Sequence, residues 1–147
     1  MKMKIIFLSL GFFLMANIGF AQKSKAPRSI IRQVAIKKYH NKEELENMQK
    51  GLLLGLYMER IESLVKTLPY IAFATKPGVT MSSLGIPVDS DNTKALDNQF
   101  EATDEYLEIT NKFQNKILPY SDTNDLISAI LFYEEIMKSL HEYSEFH

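Results

Sequence analysis

Apolar residues recur every three or four positions in three long segments of this chain, and the first two segments run up to a proline. That spacing places apolar side chains on one face of an α-helix. Proline removes a backbone donor and clashes with the preceding turn, so Pro69 and Pro119 are expected to end or kink the first two helices. The pattern predicts an all-α protein, a compact bundle of three main helices plus a short fourth element from residues 22–40 or 69–75.

The first helix is predicted to begin near Asn41 and to reach Pro69. Asn41, followed three residues later by Glu44, forms a capping-box pattern in which each side chain accepts a hydrogen bond from the other residue's backbone N–H. Its expected buried face holds Leu45, Met48, Leu52, Leu56, Tyr57, Ile61, Leu64 and Leu68. Gly51 and Gly55 each weaken a helix by about 1 kcal/mol relative to alanine, so a closely packed neighbour is expected beside them.

The second helix is predicted to begin after Asp89 or Asp91, both of which are good N-cap residues. Its expected buried face holds Leu96, Phe100, Thr103, Tyr106, Leu107, Ile109, Phe113 and Ile117. Five acids occupy the opposite face: Asp97, Glu101, Asp104, Glu105 and Glu108. This helix therefore combines an apolar face with an acidic one.

The third helix follows the cap-rich stretch 121–125. Its expected buried face is wide and holds Leu126, Ile127, Ile130, Leu131, Phe132, Tyr133, Ile136, Met137 and Leu140. Glu134 and Lys138 are expected to form an ion pair on its surface, because they lie four residues apart. The short connection over residues 119–122 predicts antiparallel packing of the second and third helices.

A loop is predicted over residues 76–91, which contain two prolines and two glycines. Loops of this length are uncommon in compact domains, and many of them are functional. Its apolar residues favour the other interpretation, in which the loop covers part of the bundle. Both interpretations stay open at this point.

Residues 1–21 have the order of features that is typical of a cleavable export signal. Two lysines precede an apolar run over residues 5–16, and Gly19 and Ala21 supply the small side chains that a signal peptidase reads. The run is shorter than the roughly 20 residues that span a bilayer, so no transmembrane span is expected after cleavage. The mature protein is then expected to begin near Gln22 and to reside in the periplasm or outside the cell; an uncleaved anchor is the alternative.

Charge is distributed unevenly along the chain. Residues 23–42 carry seven basic and no acidic side chains, whereas residues 89–147 carry 13 acidic and 4 basic ones. Residues 22–40 are therefore treated as a basic N-terminal arm that precedes a helical bundle domain, residues 41–147. The candidate contact residues of the arm are Arg28, Arg32, Lys37 and Lys38. Three interpretations stay open. The arm can lie against the chain's own acidic face, the arm and the acidic face can each be solvated, or the acidic face, Asp97 to Glu108, can bind a basic partner.

The sequence lacks the motifs that carry known chemistry. It has no cysteine, which excludes thiol catalysis, cysteine zinc sites, iron–sulfur clusters and covalent haem. It has no glycine-rich phosphate loop, nucleophile elbow or metalloprotease motif. His40 and His141 lie at predicted helix ends, where the ordinary interpretation is a solvated side chain. We therefore predict no enzyme, no catalytic residue, no bound cofactor and no metal site.

The function class that remains is a non-catalytic binding or interaction module of the cell envelope or exterior, with another protein as its partner. Nucleic-acid binding is not expected, because the folded part is acidic and a binder needs a basic surface. The alternative is a helical bundle that carries a ligand or a metal, which requires polar groups pointing into the core from several helices. The oligomeric state does not follow from the sequence.

Overall fold

The computed structural model describes residues 27–32, 36–74 and 77–145. The four α-helices are α1 Lys42–Glu46, α2 Lys50–Thr67, α3 Ser90–Ile117 and α4 Thr123–Glu145. Short 3-10 turns lie at Leu68–Tyr70, Ser82–Leu84 and Leu118–Tyr120. The described ranges hold no strand beyond an isolated bridge between Ser29 and Thr80, so the predicted all-α class with three long helices is confirmed. The short fourth helix is α1, which comes from the start of the first predicted helix rather than from residues 22–40 or 69–75. The predicted signal peptide, residues 1–21, lies outside the described residues.

The first predicted helix is present but divided in two. The capping box at its start is confirmed, since the Glu44 N–H donates to Asn41 Oδ1 at 2.8 Å and the Asn41 N–H donates to Glu44 Oε2 at 3.3 Å. The helix then stops after five residues, where the Asn47 side chain donates to the Glu43 carbonyl at 2.7 Å. Residue Gln49 has an extended backbone and starts α2.

This break changes which residues of α2 face the core. A continuous helix would bury Leu52 together with Leu45, whereas the structure buries Leu53 completely and leaves Leu52 mostly exposed. The interruption between α1 and α2 shifts the helical phase by about one residue, since the period of 3.6 residues holds only within a single uninterrupted helix.

The main core lies between α1, α2 and α4. Its buried residues are Leu45, Leu53, Leu126, Ile127 and Ile130. Helices α2 and α4 form the most extensive helix pair and run in the same direction, while α3 packs on α2 and runs in the opposite direction. The second and third long helices, α3 and α4, are therefore antiparallel as expected, but each packs more extensively on α2 than on the other.

A second, smaller core joins the arm to the loop and to α3. Ile30 and Ile31 of the arm are buried together with Tyr70 and Phe100. The Ile30 N–H donates to the Val79 carbonyl at 2.8 Å, which holds the arm against the loop. Residues 29–31 of the arm are therefore part of the folded domain, although the sequence placed them before it.

The apolar face of α3 is only partly covered. Phe100, Thr103 and Leu107 are buried as expected. Four side chains that were expected to be buried are instead exposed by 45% to 63%: Tyr106, Ile109, Phe113 and Ile117. The reason is the helix arrangement, since α4 packs along α2 and leaves this side of α3 without a neighbour.

None of the helices in the described ranges is both long and apolar enough to cross a bilayer.

The expectation of a neighbour packed closely against Gly51 and Gly55 is wrong. Both glycines are exposed, and a Cβ built on either would have no atom within 4 Å. The helix therefore carries the conformational cost of glycine without a packing contact that requires it.

We predict that Gly55→Ala raises the free energy of unfolding by about 0.5–1 kcal/mol, because alanine restricts the unfolded chain and fits the helix without a clash. Urea denaturation followed by circular dichroism measures the change. Gly85→Ala is the matched control, since Gly85 has φ +72° and an alanine is strained there. A stability loss in both variants would contradict an open environment around Gly55.

Candidate functional site

The arm lies along the acidic face of α3. Arg28 pairs with Asp97 at 2.5 Å, and Arg32 pairs with Asp104 at 2.7 Å. The Arg32 guanidinium also donates to the Phe100 carbonyl at 3.1 Å and lies 4.2 Å from the centre of the Phe100 ring. These side chains are about half exposed, so each ion pair contributes at most about 1 kcal/mol, and the contact with the ring adds a cation–π attraction.

The lysines of the arm do not join this contact. Lys38 pairs with Glu44 of α1 at 2.7 Å, and this hydrogen bond lowers the pKa of the Glu44 carboxyl. Lys37 is exposed and makes no ion pair within the described ranges. The four basic residues singled out from the sequence therefore point to different places, and only two of them reach the acidic face.

The five acids of α3 also divide into groups. Asp97 and Asp104 are occupied by the arm. Glu108 pairs with Lys112, which lowers the pKa of the Glu108 carboxyl through a hydrogen bond. Glu101 and Glu105 are exposed and have no ion-pair partner in the part of the chain that the structure describes.

A buried ion pair joins α2 to α4. The side chains of Arg60 and Glu134 are 1% and 0% exposed. Arg60 Nη2 and Nε donate to Glu134 Oε1 at 2.6 Å and 3.1 Å. Taking two charges out of water is costly, and the cost is repaid only where the remaining hydrogen-bonding capacity is satisfied as well.

The arm supplies those remaining hydrogen bonds. The His40 N–H donates to Glu134 Oε2 at 2.6 Å, and the His40 ring Nδ1 lies 3.3 Å from Oε1. Arg60 Nη2 donates to the Lys38 carbonyl at 2.8 Å. The arm is therefore fixed by its backbone to both helices, and the cluster is a structural tie because its charged groups are closed off from solutes.

Two interpretations of the sequence are corrected by this cluster. Glu134 does not pair with Lys138, which instead contacts Glu135 at 2.7 Å. His40 is not a solvated helix-end residue, since its side chain is only 10% exposed. The burial of Glu134 could have been predicted from the sequence, because its position between Ile130 and Met137 falls on the face that the apolar spacing assigns to the core.

A small cavity lies beside the cluster of Arg60, Glu134 and His40. Tyr39 Oη lies 2.8 Å from Nδ1 of His141, and burial raises the pKa of Tyr39. The cavity that these residues share with Ser63 and Met137 offers about 10 Å³, which suits one water molecule. Within the described ranges, no three histidine, aspartate or glutamate side chains lie close enough together to hold a metal ion.

An apolar pocket of about 190 Å³ lies between the arm, the loop and α3. Its lining consists of Ile30, Tyr70, Phe73, Met81, Ile86, Asn92 and Leu96. Tyr70 is buried, its pKa is raised by that burial, and its hydroxyl has no hydrogen-bond partner among the residues that the structure describes. Pockets that hold drug-sized molecules are larger, about 300–1,000 Å³.

One side of α3 carries a row of exposed apolar side chains, and we name it the α3 stripe. It consists of Tyr106, Ile109, Phe113, Ile117 and Tyr120. At 100° per residue, its four members within α3 fall inside a sector of about 80°. Tyr120, in the 3-10 turn that follows, is 87% exposed. Contiguous apolar patches of this kind are typical of binding surfaces.

The chain matches no protein-family model, no curated protein and no solved structure.

One edge of the α3 stripe adjoins a tyrosine pair. The rings of Tyr57 and Tyr133 lie 5.6 Å apart. Burial, a hydrogen bond with Tyr57 and the neighbouring hydroxyls of Tyr57 and Tyr106 raise the pKa of Tyr133 to about 12. The phenol of Tyr133 therefore keeps its proton over a pH range in which an unfolded chain loses it.

We predict that the free energy of unfolding falls as the pH rises from about 10 to about 12, because only the unfolded state ionises Tyr133 in this window. NMR titration of tyrosine labelled at Cζ follows each phenol, and Tyr133→Phe assigns the signal. Tyr57→Phe is expected to move the Tyr133 midpoint back toward 10.0. A Tyr133 midpoint near 10.0 in the unmodified chain would refute the burial.

We predict that Glu134→Gln lowers the free energy of unfolding by up to about 3–5 kcal/mol, because the buried Arg60 guanidinium then keeps only the partly exposed Glu59 carboxylate, 3.4 Å away, as a counter-charge. Chemical denaturation measures this loss. Glu135→Gln makes the same substitution at the next, exposed position and is expected to cost less than about 1 kcal/mol. Similar small losses in the two variants would be inconsistent with a buried pair that joins α2 to α4.

Proposed function

We propose that this chain is an exported, non-catalytic interaction module that binds another protein through the α3 stripe. The observation that carries the proposal is the exposure of five large apolar side chains in one row. A side chain of this type stabilises a complex when a partner removes it from water, and aromatic residues are enriched among the residues that dominate binding. Scattered exposed apolar residues need no explanation, but a continuous row does.

The polar clusters support a binding function over catalysis. The His40–Glu134 contact has the composition of an acid–base pair, yet its carboxylate is 0% exposed and already bonded to Arg60. A general base must reach the proton that it removes from a substrate. The neighbouring cavity holds about one water molecule, so the cluster serves the fold.

Export is proposed from the sequence of residues 1–21. The positive start, the apolar run over residues 5–16 and the small residues before Gln22 support cleavage and release into the periplasm or the exterior. Expression of the full chain, followed by fractionation and intact-mass measurement, tests this part. A mass that begins at Gln22 is expected, and a mass that begins at Met1 in the cell interior would overturn it.

Binding through the α3 stripe is tested by site-specific photo-crosslinking in expressing cells. We predict that a photoreactive phenylalanine analogue in place of Phe113 yields a protein adduct, because the partner covers this side chain. The same analogue in place of Phe73 is the matched control, since both phenylalanines are exposed to a similar degree and Phe73 lies outside the α3 stripe. No adduct at Phe113, or equal adducts at both positions, would refute the proposal.

A second candidate function, the carriage of a small apolar ligand, is supported by the pocket around Tyr70. The lining of this pocket is almost entirely apolar, which suits a small apolar molecule. Titration with short-chain alcohols and ketones, followed by calorimetry, tests it. Binding that Ile86→Glu weakens would support this function, and no binding at millimolar concentration would remove it.

A further inference from the structure

The charges on α3 are arranged in like-signed groups. Glu101 and Glu105 lie four residues apart near the middle of the helix, and Lys112 and Lys116 lie four apart near its end. Like charges at this spacing repel one another by a few tenths of a kcal/mol in a single helix. Within the described ranges, only Lys112 of these four has an ion-pair partner, Glu108. Glu101, Glu105 and Lys116 are thus left without an ion-pair partner in the described part of a single chain.

These groups border the α3 stripe on one flank. At 100° per residue, Glu105, Lys112 and Lys116 fall within a sector of about 40°, on the side of the stripe away from Phe100 and Leu107. A helix that lies against the stripe therefore passes directly over Glu105 at one end and Lys116 at the other. A partner helix of complementary charge carries a basic group opposite Glu105 and an acidic group opposite Lys116.

A second α3 helix in the antiparallel orientation has this distribution of charge. We propose that the α3 stripe binds the α3 stripe of a second copy of this chain, antiparallel and related by a twofold axis near Thr110 and Asn111. This inference rests on the proposed function and names its partner. In an antiparallel pair the same flank of each helix faces the other, so Glu105 of each copy lies opposite Lys116 of the second copy. Two equivalent ion pairs form, as isologous symmetry requires.

The sizes of the side chains are complementary in the same register. Tyr120, which is 87% exposed, is placed over Glu101 and the small side chain of Ala102 of the second copy. Ile109 and Phe113 lie close to the twofold axis, and Ile109 of each copy packs against Phe113 of the second copy. Along this helix pair, large side chains therefore face small ones at the ends, and apolar side chains face apolar ones at the centre, as in antiparallel helix pairs.

The exposed area fits a weak to moderate dimer. With about 150–250 Å² for each aromatic side chain, the three aromatic members of the α3 stripe leave roughly 300–500 Å² uncovered per chain. The isoleucines and the charged flank add to this area. Standard interfaces bury about 800 Å² per partner, so the stripe supplies a large share of what a specific dimer needs.

The first experiment measures self-association of the protein purified after expression of the full chain, with its N-terminus fixed by intact mass. Sedimentation equilibrium over micromolar concentrations is expected to show a monomer–dimer equilibrium. Phe113→Glu is expected to raise the dissociation constant at least about 30-fold, because it places a charge at the apolar centre. Phe73→Glu is the matched control and leaves the constant unchanged.

The second experiment tests the antiparallel direction. Glu105→Lys and Lys116→Glu each place like charges opposite one another twice per dimer, so each is expected to weaken association about threefold to tenfold at low salt. The double variant restores the opposite charges and is expected to recover the original constant. Raising the salt to about 1 M is expected to reduce the effects of both single variants, since exposed charges are then screened.

The outcomes separate this inference from the proposed function. A protein that stays monomeric, or a dimer that Phe113→Glu does not weaken, overturns the inference. If the chain is monomeric while the crosslinker at Phe113 captures a different protein, the proposed function stands and the second copy is the wrong partner. If the double charge reversal fails to restore a dimer that the single reversals weaken, the antiparallel register is wrong.

Discussion

The ion pair between Arg60 and Glu134 joins three elements of the structure: α2, α4 and the arm. Two charges in a dry interior persist only when each satisfies the other and the neighbouring polar groups supply the remaining hydrogen bonds. Those groups come from the arm, through the Lys38 carbonyl and the His40 N–H. The pair therefore ties the arm to α2 and α4, beside the apolar core that these two helices share. With α4 packed along α2, nothing in the described chain covers the outer side of α3, and its apolar row stays exposed.

The arm also meets the acidic face at two points. Arg28 and Arg32 lie on either side of a bend at Ile30 and pair with Asp97 and Asp104. The two carboxylates are seven residues apart on α3, which corresponds to about two helical turns or about 10 Å. Because the contacts are half exposed, they position the arm more than they stabilise the fold. The acids beyond Asp104 are left for contacts outside the arm.

Helix positions were predictable because their signals are local. The period of apolar residues, the caps at Asn41 and Asp89, and the prolines at 69 and 119 all act within one turn of the chain, and all are found in the structure. What covers an apolar face is decided by distant residues. Phe113 and Met137 occupy equivalent positions in their periodic patterns, yet Met137 is buried and Phe113 is exposed. The same limit applies to charges, since the spacing rule pairs Glu134 with Lys138, whereas its real partner lies 74 positions away.

The direction of the helices has a consequence for attaching this domain to anything else. The arm enters beside Asp97, and α4 runs parallel to α2, so the described chain starts and finishes at the same pole of the bundle. Tyr120 lies at the opposite pole, about 35 Å along the axis of α3 from Asp97. A surface, a tag or a further domain attached next to residue 27 or residue 145 therefore lies at the pole opposite Tyr120 and leaves that side of the molecule accessible.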